Sequence, residues 1–298
     1  MNSKKKRKRK IKNLIFLMMI ILGVIISYNK LEDSKIKIKD KDFIELIKSE
    51  TFQEETLIER LVSKTKEKVN PLKKITEDYQ KYIKESEEEP TIKEESPFII
   101  YLYNTHQTEE YAPSSFAEFS INPTVVMNNY ILQDIFNKKG FKTYVEESSI
   151  KEILNLNNWN YSNSYKASRI LLEQAKEQYP TLQYFIDIHR DSLEKGKTTI
   201  TIQEKDYAKI LFIVGMENNN FEPNLNLTEK IHNKINEIYP GLSKGIYKKS
   251  GPGVNGVYNQ DFSGNTILIE IGGYENTTTE VLNSAVAFAR CFLEVIHE

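Results

Sequence analysis

The pattern of apolar and polar positions changes near Pro97. From about Asn29 to Pro97, Lys and Glu dominate, and apolar residues at helical spacing occur only in short patches such as 43–47 and 57–61. No heptad persists for three repeats, so this part predicts a charged, partly helical stalk, with a partner-binding coiled coil as the alternative. After Pro97, apolar runs of strand length alternate with longer stretches of helical period.

This alternation predicts one folded domain over residues 97–298. Strands are predicted at 98–104, 141–145, 184–189, 197–203, 210–215 and 266–271, and helices at 124–139, 165–178, 227–238 and 278–296. Gly140 and Pro180 mark the ends of the first two helices. The pattern is typical of an α/β fold with a mostly parallel sheet that is covered by helices on both faces.

The amino-terminal part predicts a membrane anchor. A basic block at 4–10 precedes an uncharged apolar run at 14–26. We therefore expect a cytoplasmic basic segment and a transmembrane signal anchor over 1–28, a stalk over 29–96, and an extracytoplasmic domain on a single-pass protein of the cell membrane. Because the apolar run is shorter than the roughly 20 residues that span a bilayer comfortably, a cleaved secretory signal is the alternative.

Composition excludes some classes of function. The formal net charge of −1 hides a basic block near the amino terminus and an acidic tract at 85–95. Since no basic face continues into the folded part, no nucleic-acid partner is expected. Cys291 is the only cysteine, so no internal disulfide can form, and its apolar helical surroundings predict a core residue and not a nucleophile.

Three predicted strands end in residues that bind metals. The first is followed by His106 and Glu109, another ends in His189, and the last one ends in Glu270. Sites of open α/β sheets form at the carboxyl ends of strands. Two imidazoles and a carboxylate form a ligand set that Zn²⁺ accepts when a water molecule takes the fourth position. The sequence therefore predicts a zinc site at this edge.

The other two histidines are expected to lie away from the site. His232 stands among polar helix residues and is expected to be solvated, and His297 belongs to the carboxyl-terminal tail and is expected to fray. For the carboxylate ligand, the residues alone leave Glu109 and Glu110 open.

The remaining candidates surround the metal ligands. Glu270 is expected to shuttle protons, with Gly272 and Gly273 leaving room for substrate, although a pair with Arg190 is the structural alternative. Asp187 alternates with His189 along the strand and either orients an imidazole or pairs with an arginine. Arg190 either contacts a substrate carboxylate or oxyanion or pairs with Asp191 or Glu110.

Several segments in order resemble the stage II sporulation protein P family of endospore-forming bacteria. They are Thr105–Tyr111, Tyr161–Arg169, Asp187–Ser192, Ile213–Asn219, Tyr239–Leu242, Tyr258–Ser263 and Leu268–Gly273. Two departures are slight: Gln107 and Thr108 stand where the family usually has two serines, and Phe262 stands where leucine is common.

The resemblance implies a membrane-anchored cell-wall hydrolase that is a divergent zinc-dependent N-acetylmuramoyl-L-alanine amidase, in some members with endopeptidase action. It assigns His106, Glu109 and His189 to the metal and Glu270 to catalysis. It places Asn219, Asn259 and Gln260 at motif positions for which substrate contact and turn formation are both open.

The resemblance also implies partners. Peptidoglycan is the expected substrate, and the expected setting is sporulation engulfment, alongside a lytic transglycosylase and a polytopic membrane anchor protein. A catalytically silent wall-binding scaffold is the alternative from another class. A zinc carboxypeptidase or endopeptidase would share the same metal ligands.

Overall fold

The computed structural model describes residues 95–112 and 123–297. The strands are β1 (Ile100–Tyr103), β2 (Thr143–Val145), β3 (Tyr184–Asp191), β4 (Thr199–Ile202), β5 (Lys205–Ala208), β6 (Ile210–Gly215), β7 (Ser243–Lys249) and β8 (Thr266–Gly273). The α-helices are α1 (Val126–Lys138), α2 (Ile150–Leu156), α3 (Ser164–Gln178), α4 (Lys195–Thr198), α5 (Phe221–Ile238) and α6 (Thr278–His297). Short 3₁₀ turns lie at Tyr161–Asn163 and Gln260–Phe262.

Six strands form one sheet in the order β2-β1-β3-β8-β6-β7. The pairs β2–β1, β1–β3, β3–β8 and β6–β7 are parallel, and β8–β6 is antiparallel. Strands β4 and β5 form a separate antiparallel hairpin. The predicted α/β class with a mostly parallel sheet is thus confirmed, and the reversal at β8–β6 is an addition to it.

Helices cover both faces of the sheet, because the central strands carry apolar side chains on both faces. On one face, Tyr101 and Phe185 pack with Leu172 of α3 in a buried cluster. On the other face, Tyr184 meets Phe292 of α6, with ring centroids 5.5 Å apart. A strand that is buried on both faces has no polar residues alternating with the apolar ones, which is why the sequence of β1 is a continuous apolar run.

Local signals set the ends of the helices. Helix α1 ends where Gly140 adopts a φ of 88°, and the Phe141 N–H then bonds to the Phe136 carbonyl at 2.9 Å. A left-handed glycine after the last turn is a common way to end a helix. Helix α5 begins at Phe221, earlier than the predicted 227, because Pro223 lies in its first turn, where the missing N–H has no intrahelical partner to lose.

Two strands, β5 and β7, and two α-helices, α2 and α4, were not predicted, and α4 takes up the start of the strand predicted at 197–203. Strand β7 contains three lysines and a glycine, strand β5 is mostly polar, and helix α2 is only seven residues long. The Ser149 side chain accepts a hydrogen bond from the Glu152 N–H at the start of α2. That spacing of serine and glutamate is a known signal for a helix start.

The predicted anchor and stalk, residues 1–28 and 29–96, lie almost wholly outside the described residues. Among the helices of residues 95–112 and 123–297, none has the length and apolarity needed to cross a bilayer.

Candidate metal centre

A tight turn after β1 presents the first two candidate ligands. The Glu109 N–H donates to the His106 carbonyl at 3.1 Å, so the two side chains project from the same turn. The side chain of Gln107, between them, donates to the Ser148 carbonyl at 2.8 Å and accepts from the Ile150 N–H at 2.9 Å. These bonds tether the turn to the start of α2.

The structure brings His106, Glu109 and His189 together. One donor atom from each lies within 4.8 Å of the other two. The Nδ1 atoms of His106 and His189 lie 3.6 and 3.5 Å from the two oxygens of Glu109. Ligands around a single tetrahedral ion with bonds of about 2.1 Å stand about 3.4 Å apart, so the three side chains fit one divalent ion.

Electrostatics at the cluster favour a cation. Burial opposes charge on His189, but the Asp187 and Glu109 carboxylates outweigh it and raise the imidazole pKa to about 10. Burial likewise acts to raise the Glu109 pKa, but hydrogen bonds from His106 and His189 and from the backbone N–H of Arg190 lower it to about 2. A cation that binds here therefore meets an ionised Glu109 carboxylate and must displace a proton from His189.

Glu270 is the cross-strand neighbour of His189. The two residues pair directly between β3 and β8, so both side chains lie on the same face of the sheet. Beside Glu270 on that face, Leu211, Ile213 and Leu268 form a small apolar cluster. Burial, with the nearby Asp191 carboxylate, raises the Glu270 pKa to about 7. A carboxyl group with that pKa can both accept and release a proton near neutral pH.

Asp187 lies behind His189 and is fully buried. Its Oδ1 is 3.0 Å from His189 Nε2, although the ring N–H is not well aligned with it. The backbone N–H and the hydroxyl of Thr105 both donate to Asp187, at 2.8 and 2.6 Å. The structure therefore favours the hypothesis that Asp187 orients an imidazole. Arg169 pairs with Glu173 and Asp261 and not with Asp187.

Aromatic rings enclose the two histidines. The rings of His106 and His189 are 5.1 Å apart and nearly perpendicular. Tyr161 stacks on His106 at 4.9 Å and is 58% exposed, and Tyr165 lies against both imidazoles. These tyrosine rings therefore cover part of the two imidazoles.

Arg190 is held by backbone atoms. Its Nε donates to the Glu110 carbonyl at 2.6 Å and its Nη1 to the Asp191 carbonyl at 3.2 Å. The expected side-chain pairs with Asp191 or Glu110 are not what the structure shows, because the Asp191 carboxylate binds Lys244 at 2.7 Å. Glu110 is exposed and lies outside the cluster, which favours Glu109 as the carboxylate ligand.

The three amide residues of the motifs lie in different places. Gln260 is buried, and its amide bonds to the backbone of Ile213 and Gly215, both at 2.8 Å. Asn259 donates to the Tyr165 carbonyl and to the Ser168 hydroxyl, both at 2.9 Å. Both amides bind the protein itself, which favours a structural role over substrate contact.

Asn219 is exposed in the loop that follows β6. Because β6 runs antiparallel to β8, this loop lies at the opposite edge of the sheet from Glu270. The structure does not bring Asn219 together with the candidate metal ligands, and its substrate contact stays a prediction.

Local packing and backbone conformation account for the glycines at 272 and 273, and a part in substrate access stays a prediction. A Cβ at Gly273 would collide with the Leu193 carbonyl oxygen, and Gly272 has a φ of +69°. His232 is half-buried, with Nδ1 2.7 Å from the Ser243 hydroxyl, and is not fully solvated.

The carboxyl-terminal residues also have defined surroundings. His297 ends α6 and packs edge-on against Phe141, so it is not a frayed tail. Cys291 is buried in α6, as predicted.

Some residues around the cluster had no sequence signal of their own. Thr105, Ser168 and Tyr165 are common residue types, and their contacts join segments more than 20 residues apart in the chain. The only hint was that all three fall inside the segments of the family resemblance.

Solved structures resemble parts of the chain at low sequence identity. Cwp6 from Clostridium difficile aligns with 67% of this chain and 29% of its own, at 11% identity and a TM-score of 0.41. The CwlD amidase from Clostridioides difficile, solved in complex with the GerS lipoprotein, aligns with 67% of this chain and 96% of its own, at 12% identity and a TM-score of 0.44. A metallo-carboxypeptidase from Burkholderia cenocepacia aligns with 68% and 58%, at 8% identity and a TM-score of 0.36.

A curated relative is similar at the level of sequence. Stage II sporulation protein P of Bacillus subtilis (strain 168) is 38% identical over 205 residues, which cover 66% of this chain and about half, 51%, of that protein. Residues 18–293 match the family of Stage II sporulation protein P (SpoIIP), and the chain belongs to that family.

Proposed function

We propose that this protein is a zinc-dependent peptidoglycan hydrolase, an N-acetylmuramoyl-L-alanine amidase that acts during sporulation. The observation that carries the proposal is the meeting of His106, Glu109 and His189 within 4.8 Å, with Glu270 directly across the strand pair from His189. Membership of a sporulation family supports the biological setting.

The ligand set selects the metal. Two imidazole nitrogens and one carboxylate are the donors that catalytic zinc sites use, and oxygen-rich sites for Mg²⁺ or Ca²⁺ have no need of two imidazoles. A zinc ion bound here supplies Lewis-acid activation of a water molecule and of the scissile carbonyl. His106, Glu109 and His189 would hold it, with Asp187 behind His189.

The protein's own groups perform the proton transfers. Glu270 accepts a proton from the attacking water as the new C–O bond forms at the lactyl carbonyl. It returns that proton to the alanine nitrogen as the C–N bond breaks. Its pKa of about 7, raised by burial and by Asp191, suits both steps.

Arg190 is the candidate donor to the substrate. Its Nε and Nη1 are fixed by the Glu110 and Asp191 carbonyls, so the guanidinium is held in one orientation, and its backbone N–H donates to Glu109. Its other N–H groups would donate to the oxyanion or to a substrate carboxylate.

The experiment uses the full chain, purified in mild detergent, with metal analysis and digestion of purified sacculi. Release of free stem peptides, identified by mass spectrometry, is the expected result for the wild type. Glu270→Gln should retain zinc and lose activity by at least about a hundredfold, as for loss of a general acid-base. His189→Ala should lose both zinc and activity.

Matched controls separate site effects from general damage. His232→Ala removes an imidazole that lies on α5 and bonds to Ser243, and Glu229→Gln removes an exposed carboxylate of the same helix; both should keep zinc and activity. Products cut within the stem peptide would replace the amidase with an endopeptidase or carboxypeptidase. A zinc-loaded wild type that cuts nothing would favour the silent scaffold.

The proposed location follows from the sequence. The basic block and the apolar run at 14–26 would anchor the protein in the cell membrane, and the charged stalk would hold the domain outside the cytoplasm. We propose the lytic transglycosylase and the membrane anchor protein of engulfment as its partners. Deletion of residues 14–26 should move the protein from the membrane fraction to the soluble fraction; a deleted chain that stays with the membrane would contradict the anchor.

A further inference from the structure

A line of buried polar side chains leads away from the candidate metal centre. It runs from Asp187 through the hydroxyls of Thr105 and Ser168 to the amide of Asn259. Thr105 and Ser168 are each 1% exposed, and Asp187 is fully buried. Buried polar groups at this depth need complete hydrogen bonding, so the direction of each bond can be derived from donor chemistry.

The donor and the acceptor of each hydrogen bond can be assigned by starting from the two ends of this line. At one end, the Asn259 nitrogen only donates, and it lies 2.9 Å from the Ser168 oxygen. At the other end, an ionised Asp187 carboxylate only accepts, so the single hydroxyl proton of Thr105 goes to its Oδ2 at 2.6 Å.

The middle bond follows from the two ends. The oxygens of Thr105 and Ser168 lie 2.8 Å apart, a distance that requires a proton between them. Because the Thr105 proton goes to Asp187 at the shorter distance, we assign this proton to Ser168, whose other acceptor, the Tyr165 carbonyl, is farther away at 3.2 Å. Every hydrogen bond in this line is therefore donated in the same direction, from Asn259 toward Asp187.

This order has a consequence for His189. With Oδ2 taken by the Thr105 hydroxyl and Oδ1 bonded to the Thr105 N–H, the carboxylate is fixed in its plane, and its Oδ1 lies 3.0 Å from His189 Nε2. A carboxylate at this position favours a proton on Nε2, so Nδ1, 3.5 Å from Glu109, is the nitrogen that gives up its proton when a metal binds.

We propose that Thr105, Ser168 and Asn259 are positioning residues that act through Asp187 to keep the proton of His189 on Nε2 and to present Nδ1 to the metal. This inference rests on the proposed metal function of the cluster. It assigns roles to Thr105 and Ser168, which no sequence pattern singled out, and gives Asn259 a role other than substrate contact.

Zinc affinity of the full chain, measured by competition with a chelator, gives the first test. Loss of a group that orients a metal-binding histidine costs about 10- to 100-fold in affinity, and Thr105→Val should fall in this range. Thr105→Ser keeps the hydroxyl and should restore affinity close to wild type. Thr228→Val is the matched control, since it removes another buried threonine hydroxyl, one that bonds to Asn224 within α5.

A second readout does not depend on zinc. In the metal-free wild type, the Nε2–H of His189 should give a slowly exchanging signal in ¹⁵N–¹H spectra, because Asp187 holds it. Thr105→Val should broaden or abolish that signal, and Thr105→Ser should retain it. In the zinc-loaded chain the ¹⁵N shifts should place the proton on Nε2.

The outcomes are distinguishable. A wild type that binds no zinc overturns the proposed function, whereas an Nε2–H signal and a zinc affinity unchanged by Thr105→Val overturn the positioning role. A proton found on Nδ1 in the zinc-loaded chain overturns it as well. If Thr105→Val does not fold, Ser168→Ala removes the middle of the line with less loss of volume, and unchanged affinity in that variant has the same meaning.

Discussion

The side chain of Gln107 binds the first residue of α2: its Oε1 accepts from the Ile150 N–H at 2.9 Å. Its Nε2 donates to the Ser148 carbonyl at 2.8 Å, so one amide satisfies two backbone groups. Gln107 lies between His106 and Glu109, and it is one of the positions where this chain departs from the usual family residue. A shorter serine could not reach both groups, so the longer side chain ties the ligand turn to a neighbouring helix.

Gln107→Ala should therefore loosen the ligand turn. Two lost hydrogen bonds predict a decrease of about 1–2 kcal/mol in the free energy of unfolding, together with weaker zinc binding. Urea unfolding and chelator competition measure the two effects. Gln133→Ala, which removes a bond to the Thr143 carbonyl on the far side of α1, should lower stability and leave zinc affinity unchanged. Equal zinc affinities in all three proteins would refute the tether.

Glu270→Gln should stabilise the metal-free protein at alkaline pH. The Glu270 pKa is raised from 4.5 to about 7 by burial, so above pH 7 the folded state carries a charge that the unfolded state holds more easily. A rise of that size is worth at most about 3 kcal/mol, and partial exposure reduces it to about 1–2 kcal/mol.

The sign follows from proton linkage. Because the folded pKa is the higher one, the penalty is absent below about pH 4.5 and complete above pH 7. Urea unfolding of chelator-treated protein at pH 5 and pH 8 tests this, with Glu229→Gln as the exposed control. The idea fails if Glu270→Gln gives the same change in stability at both values.

Thr266→Val should stabilise the fold. The Thr266 hydroxyl is buried at the start of β8 and has no hydrogen-bond partner within residues 95–112 and 123–297. Valine has the same shape without the unsatisfied group, which predicts a gain of about 1 kcal/mol. Thr228→Val, which breaks a bond to the Asn224 carbonyl, should change stability in the opposite direction. Destabilisation of Thr266→Val in urea would mean that the hydroxyl is satisfied in solution.

The tip of the β4–β5 hairpin is strained and can be improved. Gln203 and Glu204 have φ values of 47° and 66°, the left-handed region at both central positions of a two-residue turn. Asn-Gly is the preferred pair for such a turn, so the double substitution Q203N/E204G should raise stability by about 0.5–1 kcal/mol. Glu204→Val should lower it. Thermal unfolding measures both, and a gain from valine would contradict the turn geometry.

Cys291 should not react in the folded protein. Burial raises the pKa of its thiol to about 12, and its side chain is inaccessible. Because the thiolate is the reactive form, modification by a disulfide reagent at pH 8 should be at least about a hundredfold slower than in the unfolded chain. Rapid modification of the native protein would instead indicate an accessible thiol.

The sequence predicted the centre of the sheet better than its edges. Strands β1, β3 and β8 are buried on both faces, and burial on both faces leaves an apolar run that can be recognised. Strand β7 lies at the edge, where Lys248 and Lys249 meet solvent, so its composition resembles that of a loop. The antiparallel direction of β6 could not be predicted, because an apolar run does not encode which way the strand points.

Part of the candidate site could also be predicted from the apolar runs. His106, His189 and Glu270 follow or end apolar strands, which places them at one edge of a parallel sheet. Thr105 and Ser168 are 63 residues apart in the chain, and nothing in either neighbourhood indicates that their hydroxyls meet. Side-chain hydrogen bonds across such distances depend on the final packing, and a single sequence does not contain them.

The position of Glu270 on β8 also sets the order in which the proposed centre is assembled during synthesis. The ribosome delivers the three proposed metal ligands before the strand that bears Glu270. A nascent or prematurely terminated chain that lacks Thr266–Gly273 would have lost both that carboxyl group and the neighbouring strand that supports His189. Under the proposed function, such a chain would be inert toward the wall although it carries every proposed metal ligand.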